Sequence, residues 1–229
     1  MASLPSNFRW SLMSTVVLHV GKREVADLLF IGRLGRFLNA SSQFRTNVIV
    51  VHDAIDVTES VVENAGLSID SIDASDWAAI AEDVFRSIRN LNRRIVNSLS
   101  EEGVPAIGFL AADRGLVQAG DGELNCSKPE MFDQLTASGT VLVLGPVIQT
   151  GSSSMALQSS ATVATTIANS LARNRPTGLI HFSESMRENT NIGSRLYNVT
   201  TYAKSTETVF EDTVRPEILA EAEFWERFS

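Results

Sequence analysis

Short runs of apolar residues alternate along this chain with longer segments in which apolar residues recur every three or four positions. The runs are typical of strands buried on both faces of a parallel sheet, and the longer spacing is typical of amphipathic helices. The clearest helical stripe extends from Trp77 to Leu99 and ends before Gly103. The pattern predicts strands over 15–20, 47–51, 104–110, 140–144 and 178–182, and helices over 23–38, 57–65, 77–99, 129–137, 159–172 and 217–228.

Strands that alternate with helices indicate βαβ units with right-handed crossovers. We therefore expect an α/β fold, a three-layer αβα sandwich around a mostly parallel sheet. Ser75 or Asp76 is expected to cap the long helix, and residues 111–128 are expected to form a loop or hairpin. Because no linker-like stretch interrupts the pattern, a single domain over residues 1–229 is predicted.

Composition narrows the class of protein. The chain has 229 residues, of which 44% are hydrophobic and 20% charged, and its net charge is −8. This charge argues against broad binding to nucleic acids or anionic membranes. No apolar run reaches the roughly 18 residues of a membrane span, and residues 1–13 lack the pattern of a secretory signal. The one cysteine, Cys126, fits a reducing compartment and is predicted to be inert. We expect a soluble protein of the cytoplasm.

A strand, a glycine- and serine-rich loop and a helix follow one another between residues 139 and 172. Backbone N–H groups and the positive end of a helix dipole at such a turn suit an anionic ligand. The alternative is a flexible loop without a ligand. The residues predicted to bind are Gly145, Pro146, Gly151 and Ser152 in the loop and Ser159, Ser160 and Thr162 at the helix start, which carries neither an acid nor a base.

Two other turns follow predicted strands. Gly21, Lys22 and Arg23 form a basic turn at a helix start, which predicts an anion site; the alternative is a plain turn with solvated basic residues. His52 and Asp53 end the second strand, where they would line a substrate loop and Asp53 would hold one tautomer of the imidazole. The alternative there is a cap for the helix that follows.

The remaining polar residues are most simply explained without a ligand. Asp113 is expected to be a solvated loop acid, although it could touch a ligand, and His181 is expected to be a packed residue of a strand. The histidines at positions 19, 52 and 181 share no ligand spacing, so no metal site is predicted.

Several segments together carry a resemblance to a known family. They are the strand and glycine within 17–27, the strand ending at His52 within 48–52, the middle section 92–115, the strand and turn 135–146 and the helix 161–172. In this order they resemble the amino-acid kinase superfamily, which includes acetylglutamate kinase and aspartokinase. The resemblance covers residues 15–183, a kinase-like core, and leaves 184–229 as a C-terminal extension with a terminal helix. It implies ATP and Mg²⁺ as cofactors, phosphoryl transfer to a small metabolite, and a homodimer.

The chain departs from the family at its charged positions. His19 stands where the family has a lysine, and Lys22 stands where it has a second glycine. Asp53 follows the histidine in place of a glycine. Leu157, Ser159 and Ala161 stand where the family has asparagines and an aspartate that organises the catalytic lysines. Because phosphoryl transfer depends on cations and N–H donors around the transferring group, these changes should remove most of the catalysis.

Two hypotheses follow. In the first, the chain is a divergent, non-catalytic member of this fold that binds a small anion or nucleotide, or serves as a structural or regulatory subunit, and needs no cofactor. In the second, it is an atypical ATP-dependent kinase that phosphorylates a carboxylate or phosphate of a small metabolite. Lys22 would then be the catalytic cation. Gly21, Lys22, Arg23, Ser159, Ser160 and Thr162 would bind the nucleotide, and His52, Asp53 and the loop at 145–152 would bind the substrate.

Overall fold

The computed structural model describes residues 15–41, 46–120, 123–152 and 154–182, together with the backbone of 198–202. The strands are β1 (Thr15–Val20), β2 (Asn47–His52), β3 (Ala106–Leu110), β4 (Gln118–Gly120), β5 (Glu123–Asn125), β6 (Val141–Gly145), β7 (Val147–Gln149), β8 (Met155–Leu157), β9 (Thr177–Phe182) and β10 (Asn198–Tyr202). The helices are α1 (Lys22–Ala26), α2 (Leu28–Ser41), α3 (Ile55–Asn64), α4 (Ala74–Glu101), α5 (Glu130–Leu135) and α6 (Ser160–Ala172).

The main sheet has the strand order β10-β9-β1-β2-β6-β3. Its neighbours pair in parallel except β10, which runs antiparallel to β9. In the centre, Val20 of β1 pairs with His52 of β2 on one side and with Phe182 of β9 on the other. The carboxyl ends of these three strands therefore lie side by side at one edge of the sheet. A smaller sheet has the order β5-β4-β7-β8.

Helices cover both faces of the main sheet, which confirms the predicted three-layer α/β architecture. On one face α2 and α4 pack against Val16, Leu18 and Val20 of β1. On the other face α6 packs against Val17. Because successive side chains of a strand point to opposite faces, His19 lies on the same face as Val17 and is directed toward α6.

The predicted helix over 23–38 is wrong as a single element, because the chain leaves helical geometry at Asp27 (φ −90°, ψ 97°). The carboxylate of Asp27 then accepts the backbone N–H of Leu29 at 3.0 Å and supports the start of α2. The apolar spacing continues across the break and therefore gave no sign of it. A short acidic side chain that satisfies the free N–H groups of a helix start is the physical cause.

Two other predictions need correction. The cap of α4 is Asp73, whose carboxylate accepts the N–H groups of Ser75 and Asp76 at 2.8 Å each. The predicted loop after β6 contains β7 and β8, which form an antiparallel hairpin with Val147 opposite Leu157. The region 111–128 does contain the hairpin of β4 and β5. The predicted helix over 217–228 lies outside the described residues, and the single-domain organisation stays a prediction.

Candidate functional site at the carboxyl edge of the sheet

A continuous chain of hydrogen bonds joins four polar side chains where β1, β2 and β9 end and α6 begins. His181 Nδ1 lies 3.2 Å from His19 Nδ1, and His19 Nε2 lies 2.9 Å from Ser160 Oγ. Ser160 donates its hydroxyl hydrogen to Asp53 Oδ2 at 3.0 Å. The parallel register brings the histidines together, because His19 and His181 are paired residues of β1 and β9. We call this set the edge chain.

The edge chain has one consistent assignment of hydrogens. Since Ser160 donates to Asp53, its oxygen must accept from His19 Nε2–H; His19 Nδ1 must then accept from His181 Nδ1–H. Burial, followed by the charge of His181, lowers the pKa of His19 to about 4. Burial also lowers the pKa of His181. Both imidazoles are therefore neutral at pH 7, and Asp53 is the acceptor at the end of the chain.

His52 lies on the opposite face of the sheet and is fully buried. Its Nδ1 donates to the backbone carbonyl of Asp53 at 2.9 Å, and its Nε2 lies 3.3 Å from the amide nitrogen of Asn92 in α4. Burial lowers the pKa of His52 to about 4. The same amide nitrogen lies 3.1 Å from the carbonyl of Phe109 and 3.0 Å from that of Val143. His52 therefore ties the end of β2 to α4 as a neutral group, and its hydrogen bond goes to the main chain of Asp53 rather than to the carboxylate.

Lys22 is held by acids of the neighbouring helix. Its ammonium lies 2.8 Å from Asp56 and 3.0 Å from Glu59, both on α3. Hydrogen bonds to these carboxylates raise the pKa of Lys22. The N–H of Gly21 donates to the carbonyl of Phe182 at 2.6 Å, so this donor links the end of β1 to the neighbouring strand β9. Arg23 is exposed on the first turn of α1.

The other predicted site residues divide into packed and exposed groups. Gly145 and Pro146 are buried, and a Cβ on Gly145 would lie 2.7 Å from a side-chain carbon of Ile88. The glycine is therefore needed for packing against α4. Gly151 and Ser152 are exposed in the turn between β7 and β8. In the described part of the chain, neither residue takes part in the hydrogen bonds of the edge chain.

At the start of α6 the three predicted residues behave differently. Ser159 is the N-cap and accepts the N–H of Thr162 at 3.5 Å, and both side chains are exposed. Ser160 is 4% exposed because its hydroxyl belongs to the edge chain. The structure thus brings Ser160 and Asp53 together, as members of one network with two histidines that were not predicted as site residues.

A cavity of about 200 Å³ opens beside Asp53, between α1, α3 and α4. Lys22, Asp56 and Arg94 provide the rest of its charged lining, and apolar side chains provide the remainder. Arg94 makes no ion pair or side-chain hydrogen bond with any residue in the described ranges. We call this space the first cavity. Sequence patterning did not indicate it, because Arg94 belongs to the polar face of a long helix, where a solvated arginine is the ordinary case.

A second cavity, of about 220 Å³, lies between α4 and the edge strand β3. Arg89, Asn92 and Arg93 line it from the helix, and Gly108 and Phe109 line it from the strand. Consecutive arginines of α4 therefore reach two separate cavities, Arg93 the second and Arg94 the first. An α-helix turns by about 100° per residue, which allows neighbours in sequence to face different walls.

Three other features concern metal binding, membrane insertion and thiol chemistry. Within the described ranges, no group of three or more histidine, cysteine, aspartate or glutamate side chains could hold a metal ion. None of the helices found there is long and apolar enough to cross a bilayer. Burial raises the pKa of Cys126 to about 11, so its thiol is protonated at neutral pH.

The chain was compared with protein families, with curated proteins and with solved structures. No protein-family model matches the chain. Acetylglutamate kinases of two Chloroflexus aurantiacus strains are 32% identical to it over 110 residues, which is 46% of this chain and 42% of each relative. The match therefore spans less than half the length of these curated relatives.

Solved structures agree in fold. N-acetylglutamate synthase from Neisseria gonorrhoeae, complexed with coenzyme A and N-acetyl-glutamate, superposes with a TM-score of 0.51 at 13% identity, over 69% of this chain and 39% of that chain. A substrate complex of isopentenyl phosphate kinase superposes with a TM-score of 0.50 at 14% identity, over 92% of this chain and 87% of that one.

A mostly parallel sheet with helices on both faces and polar groups at its carboxyl edge is an α/β fold that the chain shares with these kinase and synthase structures. The chain resembles the amino-acid kinase superfamily: it shares the fold of these solved structures, and 110 of its residues match acetylglutamate kinases. The resemblance stated from its motifs is thereby confirmed.

Proposed function

We propose that the protein binds a small anionic metabolite in the first cavity and does not catalyse phosphoryl transfer. The observation that supports this most is the edge chain. It places two neutral imidazoles, a hydroxyl and a carboxylate at the edge where a kinase of this fold needs cations. The protein would then be a pseudoenzyme that serves as a ligand-binding or regulatory subunit in the cytoplasm.

Electrostatics supports the loss of transfer. His19, at the position of the family's lysine, is neutral, and Lys22 already faces Asp56 and Glu59. A phosphate at the start of α6 would also approach the carboxylate of Asp53. Two unit charges about 5 Å apart repel by roughly 3 kcal/mol at an effective dielectric constant near 20. Each missing oxyanion donor commonly costs about 10²–10³ in rate, so the losses together should leave no useful turnover.

The first cavity suggests the kind of ligand. Its volume of about 200 Å³ is below the about 300–1,000 Å³ typical of sites for drug-sized molecules, so a small metabolite fits it better than a nucleotide. Lys22 already pairs with Asp56 and Glu59, and Asp53 is an acid, so the ligand's carboxylate must bind at Arg94. Arg94 has no ion pair in the described part of the chain, and its guanidinium can form a bidentate pair with a carboxylate. The relatives' names include acetylglutamate, so N-acetyl-L-glutamate is the first probe we would use.

The test is a calorimetric titration of N-acetyl-L-glutamate, Mg-ATP and Mg-ADP in turn into the wild type, Arg94→Ala and Arg86→Ala. Arg86 is a matched control because it lies on the same helix and pairs with Asp83 away from the cavity. We expect saturable binding of the carboxylate that weakens about tenfold or more in Arg94→Ala alone, and no ADP release when both ligands are present. ADP release that depends on the carboxylate would refute the loss of catalysis, and unchanged affinity in Arg94→Ala would refute the location.

The second candidate is the atypical kinase, and the position of Lys22 beside the first cavity favours it. In that case ATP and Mg²⁺ would be required, and Lys22 would leave its acidic partners to meet the transferring phosphate. Lys22→Ala should then abolish ADP release while the melting temperature stays nearly unchanged, because the side chain is 48% exposed. Turnover that survives in Lys22→Ala would exclude this role.

The resemblance also leads us to propose a homodimer. The apolar stripe of α4 is used inside the fold, so the interface would need other surfaces. Light scattering coupled to size exclusion should give twice the chain mass of 24.9 kDa. A mass equal to one chain at micromolar concentration would contradict the dimer.

A further inference from the structure

The second cavity has the features of a ligand site independent of the first. It lies on the other side of α4, against the edge strand β3, and its residues are not part of the edge chain. Its volume of about 220 Å³ is that of a small metabolite. None of the interpretations drawn from sequence assigned a role to it.

Its charges favour an anion. Arg89 is held by a bidentate ion pair with Asp113, with both contacts at 2.9 Å, so this guanidinium is fixed in place and its charge is balanced. Arg93 forms no ion pair and no side-chain hydrogen bond with the part of the chain that the structure describes. The two arginines and one aspartate therefore leave one positive charge at the cavity. Arginine is the side chain best suited to grip a carboxylate, because its N–H groups match the two oxygens.

A second polar group adds a hydrogen-bond acceptor to the cavity. Asn92 is 4% exposed, and its amide nitrogen is directed at His52 and at two backbone carbonyls. Its Oδ1 accepts no hydrogen bond from the described residues, and it occupies the space beside Gly108, where a Cβ would lie only 1.8 Å away. Because Asn92 lines the cavity, a ligand that brings an O–H or N–H group can donate to this oxygen. The glycine makes room for it.

We infer that the second cavity binds a small carboxylic acid that carries a hydroxyl or amino group. The carboxylate pairs with Arg93, and the hydroxyl or amino hydrogen is donated to Asn92 Oδ1. Phe109 contributes an apolar wall for the carbon skeleton.

The experiment titrates L-malate and succinate into the wild type, Arg93→Ala, Arg94→Ala and Arg86→Ala by calorimetry. Succinate is the matched ligand without the hydroxyl. Arg86→Ala is the matched control, because Arg86 lies on the same helix, pairs with Asp83 and lines neither cavity, and Arg94→Ala tests whether the acid binds in the first cavity instead. We expect L-malate to bind the wild type and Arg86→Ala equally, and to bind Arg93→Ala about 10- to 100-fold more weakly, the effect of losing one charged hydrogen-bond partner. Succinate should bind the wild type about tenfold more weakly than L-malate.

Other outcomes overturn the inference. Equal binding to Arg93→Ala and the wild type would remove Arg93 from the site, and equal affinity for succinate and L-malate would remove the role of Asn92. Loss of binding only in Arg94→Ala would place the acid in the first cavity, which supports the proposed function and refutes this inference. No heat and no thermal stabilisation with L-malate up to about 10 mM would show that the cavity does not take this class of ligand.

Discussion

Replacing Asp53 with asparagine should reverse the direction of every hydrogen bond in the edge chain. Asp53 Oδ1 accepts the backbone N–H of Ile55 at 2.7 Å, so in Asp53→Asn the amide oxygen must stay on that side. The amide nitrogen then faces Ser160 Oγ, where the carboxylate oxygen stood. Ser160, now receiving a hydrogen from residue 53, must donate to His19 Nε2, and His19 must donate through Nδ1 to His181.

The energetic cost of this change is small enough for the fold to survive. A hydrogen bond to a charged group contributes about 1.5–3 kcal/mol and a neutral one about 1 kcal/mol, so the exchange should destabilise the protein by roughly 1–2 kcal/mol. For a domain of this size, each kcal/mol corresponds to about 2–4 °C in Tm. Removal of the negative charge should also relieve repulsion at the start of α6 and strengthen any binding of phosphate there.

The tautomers can be observed directly by long-range ¹H–¹⁵N correlation of the imidazole rings in uniformly labelled protein near neutral pH. In the wild type we expect His19 to carry its hydrogen on Nε2 and His181 on Nδ1. In Asp53→Asn we expect His19 to carry it on Nδ1, and Nδ1 of His181 to be bare. His52, which donates from Nδ1 to a backbone carbonyl, should not change and serves as an internal reference.

The matched control is Asp56→Asn, which removes an acid two residues inside α3 that pairs with Lys22 and lies outside the edge chain. Its imidazole spectrum should equal that of the wild type. If His19 keeps its hydrogen on Nε2 in Asp53→Asn, or if His19 is charged at neutral pH in the wild type, the assignment of the edge chain is wrong.

Three further predictions concern stability. Because burial lowers the pKa of His19 and His52 from 6.5 to about 4, the unfolded chain binds more protons than the folded one below pH 6.5. The free energy of unfolding, measured with urea, should therefore keep its full value above pH 6.5 and fall by up to roughly 3 kcal/mol per histidine as the pH approaches 4. A free energy of unfolding that does not change between pH 6.5 and pH 4 would contradict the burial of these histidines. Asp73→Ala removes the cap of α4 and should lower the free energy of unfolding in urea by about 1 kcal/mol. Asp76→Ala should lower it clearly less, and equal losses in the two variants would argue against Asp73 as the cap. Gly145→Ala should lower the melting temperature, because the new Cβ would lie 2.7 Å from a side-chain carbon of α4 and such overpacking commonly costs about 1–3 kcal/mol; an unchanged melting temperature would mean that the contact relaxes freely.

The sequence predicted the central strands and the long helix well because burial controls both patterns. β1 is buried at every position, and its continuous apolar run reflects this burial directly. The break at Asp27 and the cap at Asp73 were missed because they depend on which short side chain reaches a free N–H group, and several nearby residues are chemically able to do so.

The site was harder to predict than the fold because it depends on register. His19 and His181 are separated by 162 positions in sequence, yet each is the second-last residue of its strand. Parallel strands in register place such residues side by side, so a shared distance from the strand end was the available signal. The pairing of Lys22 with Asp56 and Glu59 required the angle between α1 and α3, which no local pattern contains.

The hydrogen bonds of the Asn92 amide determine which part of the sheet acid would destabilise first. Its nitrogen carries two hydrogens but faces three acceptors, and the contact with His52 Nε2, at 3.3 Å, is the longest. A proton that enters His52 turns this acceptor into a donor, so the amide must rotate to present its oxygen. The carbonyls of Phe109 in β3 and Val143 in β6 then lose their shared donor. Acidification at one buried ring therefore loosens the outermost pair of parallel strands first, and hydrogen exchange in β3 should accelerate before exchange in β1.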